Sequence, residues 1–254
     1  MTNKIRVGAV SYLNTRPFIY GLEHSSVRGA IELSLHQPAV IAKRLLNGEI
    51  DLGLVPVSIL PEINDSYIIS DFGICCDGEV SSVVICSQVP LKDSEKLFID
   101  YQSRTSAALT QMLVREYWKV SPRLVQASPG YEKQVMGKYA GLFIGDRALK
   151  LKEMYDYVYD LGEAWKSFSG MPFVFACWVA NKKMDENFTN LFSQALQSGL
   201  HDIDKVIAME QIYFHGVNVQ EYLGKRIQYH IDAEKKRAMS YFLGLLDHKQ
   251  EAVL

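Results

Sequence analysis

The chain has 254 residues, enough for one large domain or two of ordinary size, and its 48% hydrophobic and 22% charged residues are an ordinary globular balance. The formal net charge is −2 with no dense Lys/Arg block, so no electrostatic footprint for a polyanion exists and nucleic acid is not an expected partner. The longest apolar run, MPFVFACWVA at 171–180, is about half of what a bilayer span needs, and its β-branched and aromatic content suits a buried strand.

The amino-terminal residues MTNKIRVGAVSYLN carry an early lysine and arginine but no apolar stretch of signal-peptide length and no small-residue cleavage site, the pattern of a protein that stays in the cytoplasm. IRVGAV at 5–10 reads as a strand. TRPFIYGLE then reads as a short helix with its proline near the first turn. IELSLHQ alternates like a strand, and PAVIAKRLLNGE gathers Ile41, Ala42, Leu45 and Leu46 on one helical face, with Asn47-Gly48 as the stop. DLGLVPVSIL is apolar at nearly every position, as a parallel strand covered on both faces would be. The order is β-α-β-α-β, for which the right-handed crossover is the expected topology.

SSVVICSQVP at 81–90 is a further strand that ends at a proline. The pattern then restarts: LFIDY as strand, SRTSAALTQMLVREYW as helix, PRLVQAS extended, YEKQVMGKYA as helix, GLFIGD as strand. YVYDLG leads through EAWKSFSG to the buried run PFVFACWVA. From about 185 onward the spacing predicts helices only, with no sheet-building material left. No repeat and no long Gly/Ser linker separates the two α/β halves. The expected fold is therefore an α/β clamshell whose chain crosses over near 85 and back near 175, with residues 1–85 and 176–254 in lobe 1 and 86–175 in lobe 2. A cleft between such lobes collects strand ends from both and is a favoured ligand site.

Polar residues cluster where those strands end. VSYLNTRP offers Ser11, Asn14 and Thr15 after the first strand, Asn14 being able to donate and accept at once. Helix capping explains one such residue, not several. SRTS at 103–106 opens a helix after a strand. The first helical amides lack internal partners and carry roughly half a positive charge, so they attract an anion. Hydroxyls of Ser103, Thr105 and Ser106 could add about 1.5 to 3 kcal/mol each in charge-assisted bonds. Capping alone is the competing reading, and Arg104 could be an anion contact or a brace. IGD at 144–146 lets a ligand approach Gly145 and leaves Asp146 to orient a hydroxyl or hold Arg147, with a solvent-facing turn as the alternative. In a period-two strand only one of Ser81 and Ser82 can face the cleft.

Other chemistries lack their motifs. Cys75, Cys76, Cys86 and Cys177 have no CxxC spacing, the six histidines form no HExxH, and no metal site is expected. Neither GxxxxGK[ST], GxGxxG nor GxSxG occurs, so no nucleotide cofactor and no serine hydrolase is indicated. The sequence sets no oligomeric state.

Taken together, VGAVSYLNTRP, LNGEIDLGLVP, CDGEVSSVVICSQVP, SRTSAAL, LFIGDRAL and DLGEAWKSFSGMPFVFACW resemble, in order, the signature segments of the chorismate dehydratase family of the futalosine route to menaquinone. The likeness runs from residue 6 to about 178. A sister family, dihydroxynaphthoate synthase, shares the fold but spells the first loop differently, and Asn14 within SYLNTRP points to the dehydratase. The resemblance implies the two-lobed fold of type II periplasmic binding proteins. It also implies loss of water from chorismate to give 3-[(1-carboxyvinyl)oxy]benzoate without metal or organic cofactor. Asn14 and Ser82 would lie beside the reacting ring, and Ser103, Thr105 and Ser106 would receive a carboxylate. Aromatisation supplies the thermodynamic drive. No His, Lys or Glu belongs to the SYLN, SRTS or SSVV segments, so the enolpyruvyl carboxylate of the substrate is the expected base, with Asp146 as the rival. A non-catalytic solute-binding protein is the alternative of a different class.

Overall fold

In the computed structural model, which describes residues 4–251 with side chains through 247, two sheets divide the chain. β1 (Ile5–Val10) leads to α1 (Arg16–Glu23), then β2 (Ile31–His36), α2 (Pro38–Leu46) and β3 (Leu52–Pro56). β1 pairs in parallel with β2 on one side and β3 on the other. Apolar side chains on one face of α1 and α2 force this arrangement: Phe18, Leu22, Ile41 and Leu45 are all buried. Pro17 and Pro38 occupy the first turns of their helices, where a missing N–H costs nothing.

β4 (Tyr67–Cys76), a ten-residue strand, completes the first half. The chain then passes to the second sheet with β5 (Val83–Ser87), β6 (Lys96–Ile99), α3 (Arg104–Glu116), β7 (Arg123–Gln126), β8 (Tyr139–Ile144), α4 (Gly145–Leu151) and β9 (Tyr157–Asp160). The second sheet has the order β7-β6-β8-β5-β9. α5 (Leu161–Ser169) carries the chain back to β10 (Phe173–Ala180), which lies antiparallel between β3 and β4 in the first sheet. α6 (Glu186–His201), α7 (Ile203–Gln211), the short α8 (Val219–Glu221), β11 (Gln228–His230) and α9 (Ala233–Glu251) follow. The first sheet thus runs β11-β4-β10-β3-β1-β2.

Several sequence-based expectations need correction. β5 belongs wholly to the second sheet and β10 wholly to the first, so the chain changes sheets within 77–82 and 161–172, a few residues before 85 and 175. β3 is buried at every position, but only β1 flanks it in parallel, and β10 covers its other edge antiparallel. YEKQVMGKYA is not a helix: Tyr131–Gln134 make one 3-10 turn, and Tyr139 and Ala140 start β8. The tail does contribute to a sheet, through the edge strand β11 paired with β4. The four cysteines are buried thiols, and burial pushes those of Cys86 and Cys177 up to about 12, so they pack as small apolar side chains. No helix of the described residues is long and apolar enough to cross a membrane.

The core joins both sheets and is dense in aromatic contacts. Trp165 of α5 meets Phe173 of β10 and Phe242 of α9 edge-on, at ring-centroid distances of 5.2 and 5.7 Å. Gly21 of α1 and Gly199 of α6 let two helix backbones touch: a Cβ at Gly21 would meet the Ala195 carbonyl oxygen at 2.0 Å.

At the amino-terminal end of the first sheet, Asp51 ties three segments together. It accepts from the Arg6 amide at 2.9 Å, from the Arg6 guanidinium at 3.0 and 3.1 Å, and from Lys182 Nζ at 2.7 Å. Burial alone would push its pKa up, but the hydrogen bonds from Arg6 and Lys182 outweigh it and hold the carboxyl well below the usual range. A carboxylate depressed in the folded state stabilises above its unfolded pKa of about 4 and loses that contribution as pH falls toward its folded value. Asp51→Asn is therefore expected to cost on the order of 1–2 kcal/mol at pH 7. In paired thermal melts, the gap between variant and wild type should narrow steadily as pH drops below about 4.

Candidate active site between the lobes

The carboxyl ends of β1, β3 and β8, the start of α3 and the crossover before β5 converge on one cavity, a position between lobes that small-molecule sites favour. Its polar lining is Tyr12, Asn14, Ser82, Ser103 and Ser106, and its walls are apolar, Ile74, Val83, Ile144 and Phe175 among them. Among the lining residues there is no Asp, Glu, His, Lys or Arg.

Each polar group is placed by backbone chemistry. After β1 the chain makes a 3-10 turn, Leu13–Thr15, that leads directly into α1 and buries Asn14. The Thr15 hydroxyl donates to Asn14 Oδ1 at 3.1 Å, leaving the Nδ2 hydrogens for other partners. Ser103 is the N-cap of α3: its Oγ accepts from the Ser106 amide at 3.3 Å and from the Ser106 hydroxyl at 3.0 Å. Capping and cavity lining, posed above as competing readings, are thus both properties of the same serines.

Ser81 and Ser82 precede β5 instead of alternating within it. Ser81 takes a left-handed backbone, φ 63°, and its hydroxyl turns away to donate to Glu79 at 2.6 Å. Ser82 faces the cavity. The unusual backbone is secured by Asp160, whose carboxylate accepts from the Val80 amide at 3.1 Å and the Ser81 amide at 2.6 Å while capping α5 through the Gly162 and Glu163 amides. Burial pushes the Asp160 carboxyl up to about 6, although the amides of Val80, Glu163 and Ser81 draw it down.

Four of the nine expected site residues do not line the cavity. Thr105 accepts from the Ser58 amide at 3.1 Å and donates to the Ser58 hydroxyl, joining α3 to the first lobe. Arg104 is a brace, paired with Glu62 at 2.5 Å on the exposed surface. Asp146 accepts from the Leu13 amide at 2.8 Å, and burial raises its pKa. It does not hold Arg147, which pairs with Asp100 and Glu132. Ser11 lies half-buried at the end of β1, its amide donating to the His36 carbonyl at 3.1 Å. Thr105 and Asp146 latch the lobes together, as does Tyr12, whose hydroxyl donates to Gln102 Oε1 at 2.5 Å.

Two residues that hold the site together are not among the expected ones: Tyr12 and Asp160. Tyr12 lies inside the SYLN segment. Nothing local marks Asp160, because Val80 and Ser81 lie far away in the chain. No group of three or more His, Cys, Asp or Glu among the described residues is placed to hold a metal.

Residues 5–248 match the family described as menaquinone biosynthesis. The chain belongs to that family. A curated relative, the chorismate dehydratase of Thermus thermophilus, is 27% identical over 260 residues, covering 93% of each chain. Among solved structures, a protein of Archaeoglobus fulgidus superposes with a TM-score of 0.76 at 15% identity over 98% of both chains. The periplasmic aliphatic sulphonate binding protein of Escherichia coli does so at 0.60 and 13%, over 98% of this chain and 88% of its own. The family's two-lobed fold is thus that of periplasmic binding proteins, as the sequence reading expects.

Gly145 sets how closely the second lobe approaches Tyr12. Its φ is +61°, and a Cβ there would stand 2.7 Å from the Tyr12 ring. Gly145→Ala is expected to destabilise the protein by about 1–3 kcal/mol and to impair ligand binding. Gly170→Ala, at φ +74° with open space around the added methyl, is expected to cost only the backbone term of about 1–2 kcal/mol and to leave binding intact. Denaturant melts with ligand titration of both variants check this.

Proposed function

We propose that the chain is a cytoplasmic chorismate dehydratase of menaquinone biosynthesis, converting chorismate to 3-[(1-carboxyvinyl)oxy]benzoate and water. The observation that carries this reading is the makeup of the cavity: an amide and three serine hydroxyls set among apolar walls, with no charged side chain in the lining. Such a hollow suits a small carboxylate-bearing ring whose own chemistry supplies the drive.

One substrate carboxylate sits at the start of α3, where the free amides of the first turn and the Ser103 and Ser106 hydroxyls provide hydrogen bonds and the helix dipole provides charge. Negative charge that spreads into it from the ring during proton loss is stabilised in a water-poor, low-dielectric site. The C3–H bond breaks, its electron pair enters the ring, and the C4–O bond breaks to release hydroxide. The proton from C3 and the hydroxide from C4 make up the water lost.

A base is still needed, and the lining offers none of the usual ones. The enolpyruvyl carboxylate of the substrate takes the proton, while Asn14 orients that group and Ser82 donates to the departing hydroxyl. Asp146 is poorly suited to the task, because its carboxylate is already engaged with the Leu13 amide and does not border the cavity. Most of the acceleration then comes from holding a reactive conformer.

Purified protein incubated with chorismate should give an aromatic benzoate chromophore and a product lighter by one water. Asn14→Ala and Ser82→Ala are expected to lower kcat by about 100-fold or more. Asp146→Asn, which keeps an acceptor for Leu13, should stay within about tenfold of wild type, whereas loss of several orders of magnitude with binding intact would make Asp146 the base. Inertness toward chorismate with turnover of cyclic dehypoxanthine futalosine would assign the chain to the sister reaction. Binding without turnover of either would make it a binding protein.

A further inference from the structure

Behind the cavity stands a buried hydroxyl that has polar neighbours but no closed hydrogen bond. Tyr222 is 2% exposed, and among the described residues no donor or acceptor meets its Oη at hydrogen-bonding geometry. A buried phenol without a partner is costly, and such exceptions concentrate where function supplies the missing group. Its neighbours are the two residues already placed beside the reacting ring: Ser82 and Asn14 flank the hydroxyl. Asp146 and Asp160 are the nearby carboxylates, and the amides of Leu13, Val80 and Ser81 occupy them.

The backbone that delivers this side chain is itself unusual. Asn218 caps α8 by accepting from the Glu221 amide at 2.9 Å, and the chain then widens into a single turn of π-helix, Tyr222–Arg226. The Ile227 amide closes that turn on the Tyr222 carbonyl at 3.0 Å. Isolated π turns recur at functional positions because they re-aim one side chain without ending the helix. Here the turn sets the Tyr222 hydroxyl beside Ser82 and Asn14, while the residue also lines a separate hollow with Glu79, Ser81 and Asn218.

Resting on the dehydratase reading above, we infer that Tyr222 is a positioning residue that links Asn14 to Ser82. One Asn14 Nδ2 hydrogen donates to the phenol oxygen, the phenol O–H donates to Ser82 Oγ, and the Ser82 O–H is thereby turned toward the hydroxyl leaving C4. Hydrogen bonds in such a chain polarise one another, so the serine becomes a better donor than it is alone. No proton leaves the tyrosine. Burial is the largest influence on its phenol and pushes the pKa up, which keeps the donor hydrogen in place.

Tyr229 supplies a matched control. Its phenol is also buried and also without a partner among the described residues, and it lies near Tyr222 without Asn14 or Ser82 among the groups that shift it. Tyr222→Phe, Tyr229→Phe, Ser82→Ala and the Ser82→Ala/Tyr222→Phe double variant would be compared for chorismate turnover, KM and melting temperature.

Tyr222→Phe is expected to lose about 10- to 100-fold in kcat with KM changed less than about threefold. Its melting temperature should fall only by what two neutral hydrogen bonds contribute, too little to account for the loss in kcat. Tyr229→Phe should retain wild-type kcat. In the Ser82→Ala background the Tyr222 change should cost less than about twofold more, because the group it acts through is gone. Wild-type kcat in Tyr222→Phe, losses that multiply in the double variant, or an equal loss in Tyr229→Phe would overturn the inference while leaving the dehydratase reading intact. A wild-type protein inert toward chorismate would overturn the dehydratase reading, and this role with it.

Discussion

The Asp160 carboxylate accepts backbone N–H groups on both sides of the lobe junction, and the placement of Ser82 in the cavity wall depends on it. On one side it caps α5, the helix that returns the chain to the first sheet. On the other it holds the amides of Val80 and Ser81 in the outgoing crossover. That grip offsets the left-handed backbone of Ser81, a conformation that a non-glycine residue keeps only when its surroundings over-determine it. The next residue, Ser82, then points into the cavity, and its carbonyl accepts from the Gly145 amide at 2.8 Å, which fixes the mouth of α4 as well. One buried acceptor thus sets the crossover, the return helix and a wall of the site.

The same economy marks the recognition chemistry. A cavity without Lys or Arg in its lining would be a poor anion site in water, but low polarity strengthens each helix-end amide and hydroxyl that remains. The cations lie outside: Arg147 stabilises Asp100, whose Oδ1 accepts the Gln102 amide at 2.7 Å and so shapes the loop leading into Ser103. Arg104 braces Glu62. Gln102 in turn takes the Tyr12 hydroxyl on its side chain and the Ala39 amide on its carbonyl, so the loop that presents the serines also latches the first lobe. A fold shared with transport proteins becomes suited to catalysis through the small set of groups facing the hollow, not through its frame.

What the sequence reveals about this molecule is what local spacing encodes. Val7, Ala9 and Val10, then Asn14, follow one another within a single strand and turn, and Ser103 and Ser106 share the first turn of α3; both clusters are visible as strings of residues. The helical faces of α1 and α2 are visible for the same reason. β4 went unread because its first half is exposed on one edge, with Tyr67 and Ile68 at 40% and 47% accessibility, so neither burial nor alternation marks it. β11 is three residues long and exists only because β4 offers an edge. Thr105 and Asp146 look like ligand contacts in the sequence because a hydroxyl or carboxylate at a strand end looks the same whether it meets a substrate or the opposite lobe. Asp160 and Tyr222 act on residues some 80 and 140–208 positions earlier, and no periodicity connects them.

A crystal structure of the protein with 3-[(1-carboxyvinyl)oxy]benzoate bound tests the central claim most directly. The account predicts the ring in the cavity between the lobes, one carboxylate within about 3 Å of the first-turn amides of α3 and the Ser103 and Ser106 hydroxyls, and the position of ring C4 beside Ser82. A product carboxylate paired with Arg104 or Arg147, or a ring lodged away from Asn14 and Ser82, would contradict it.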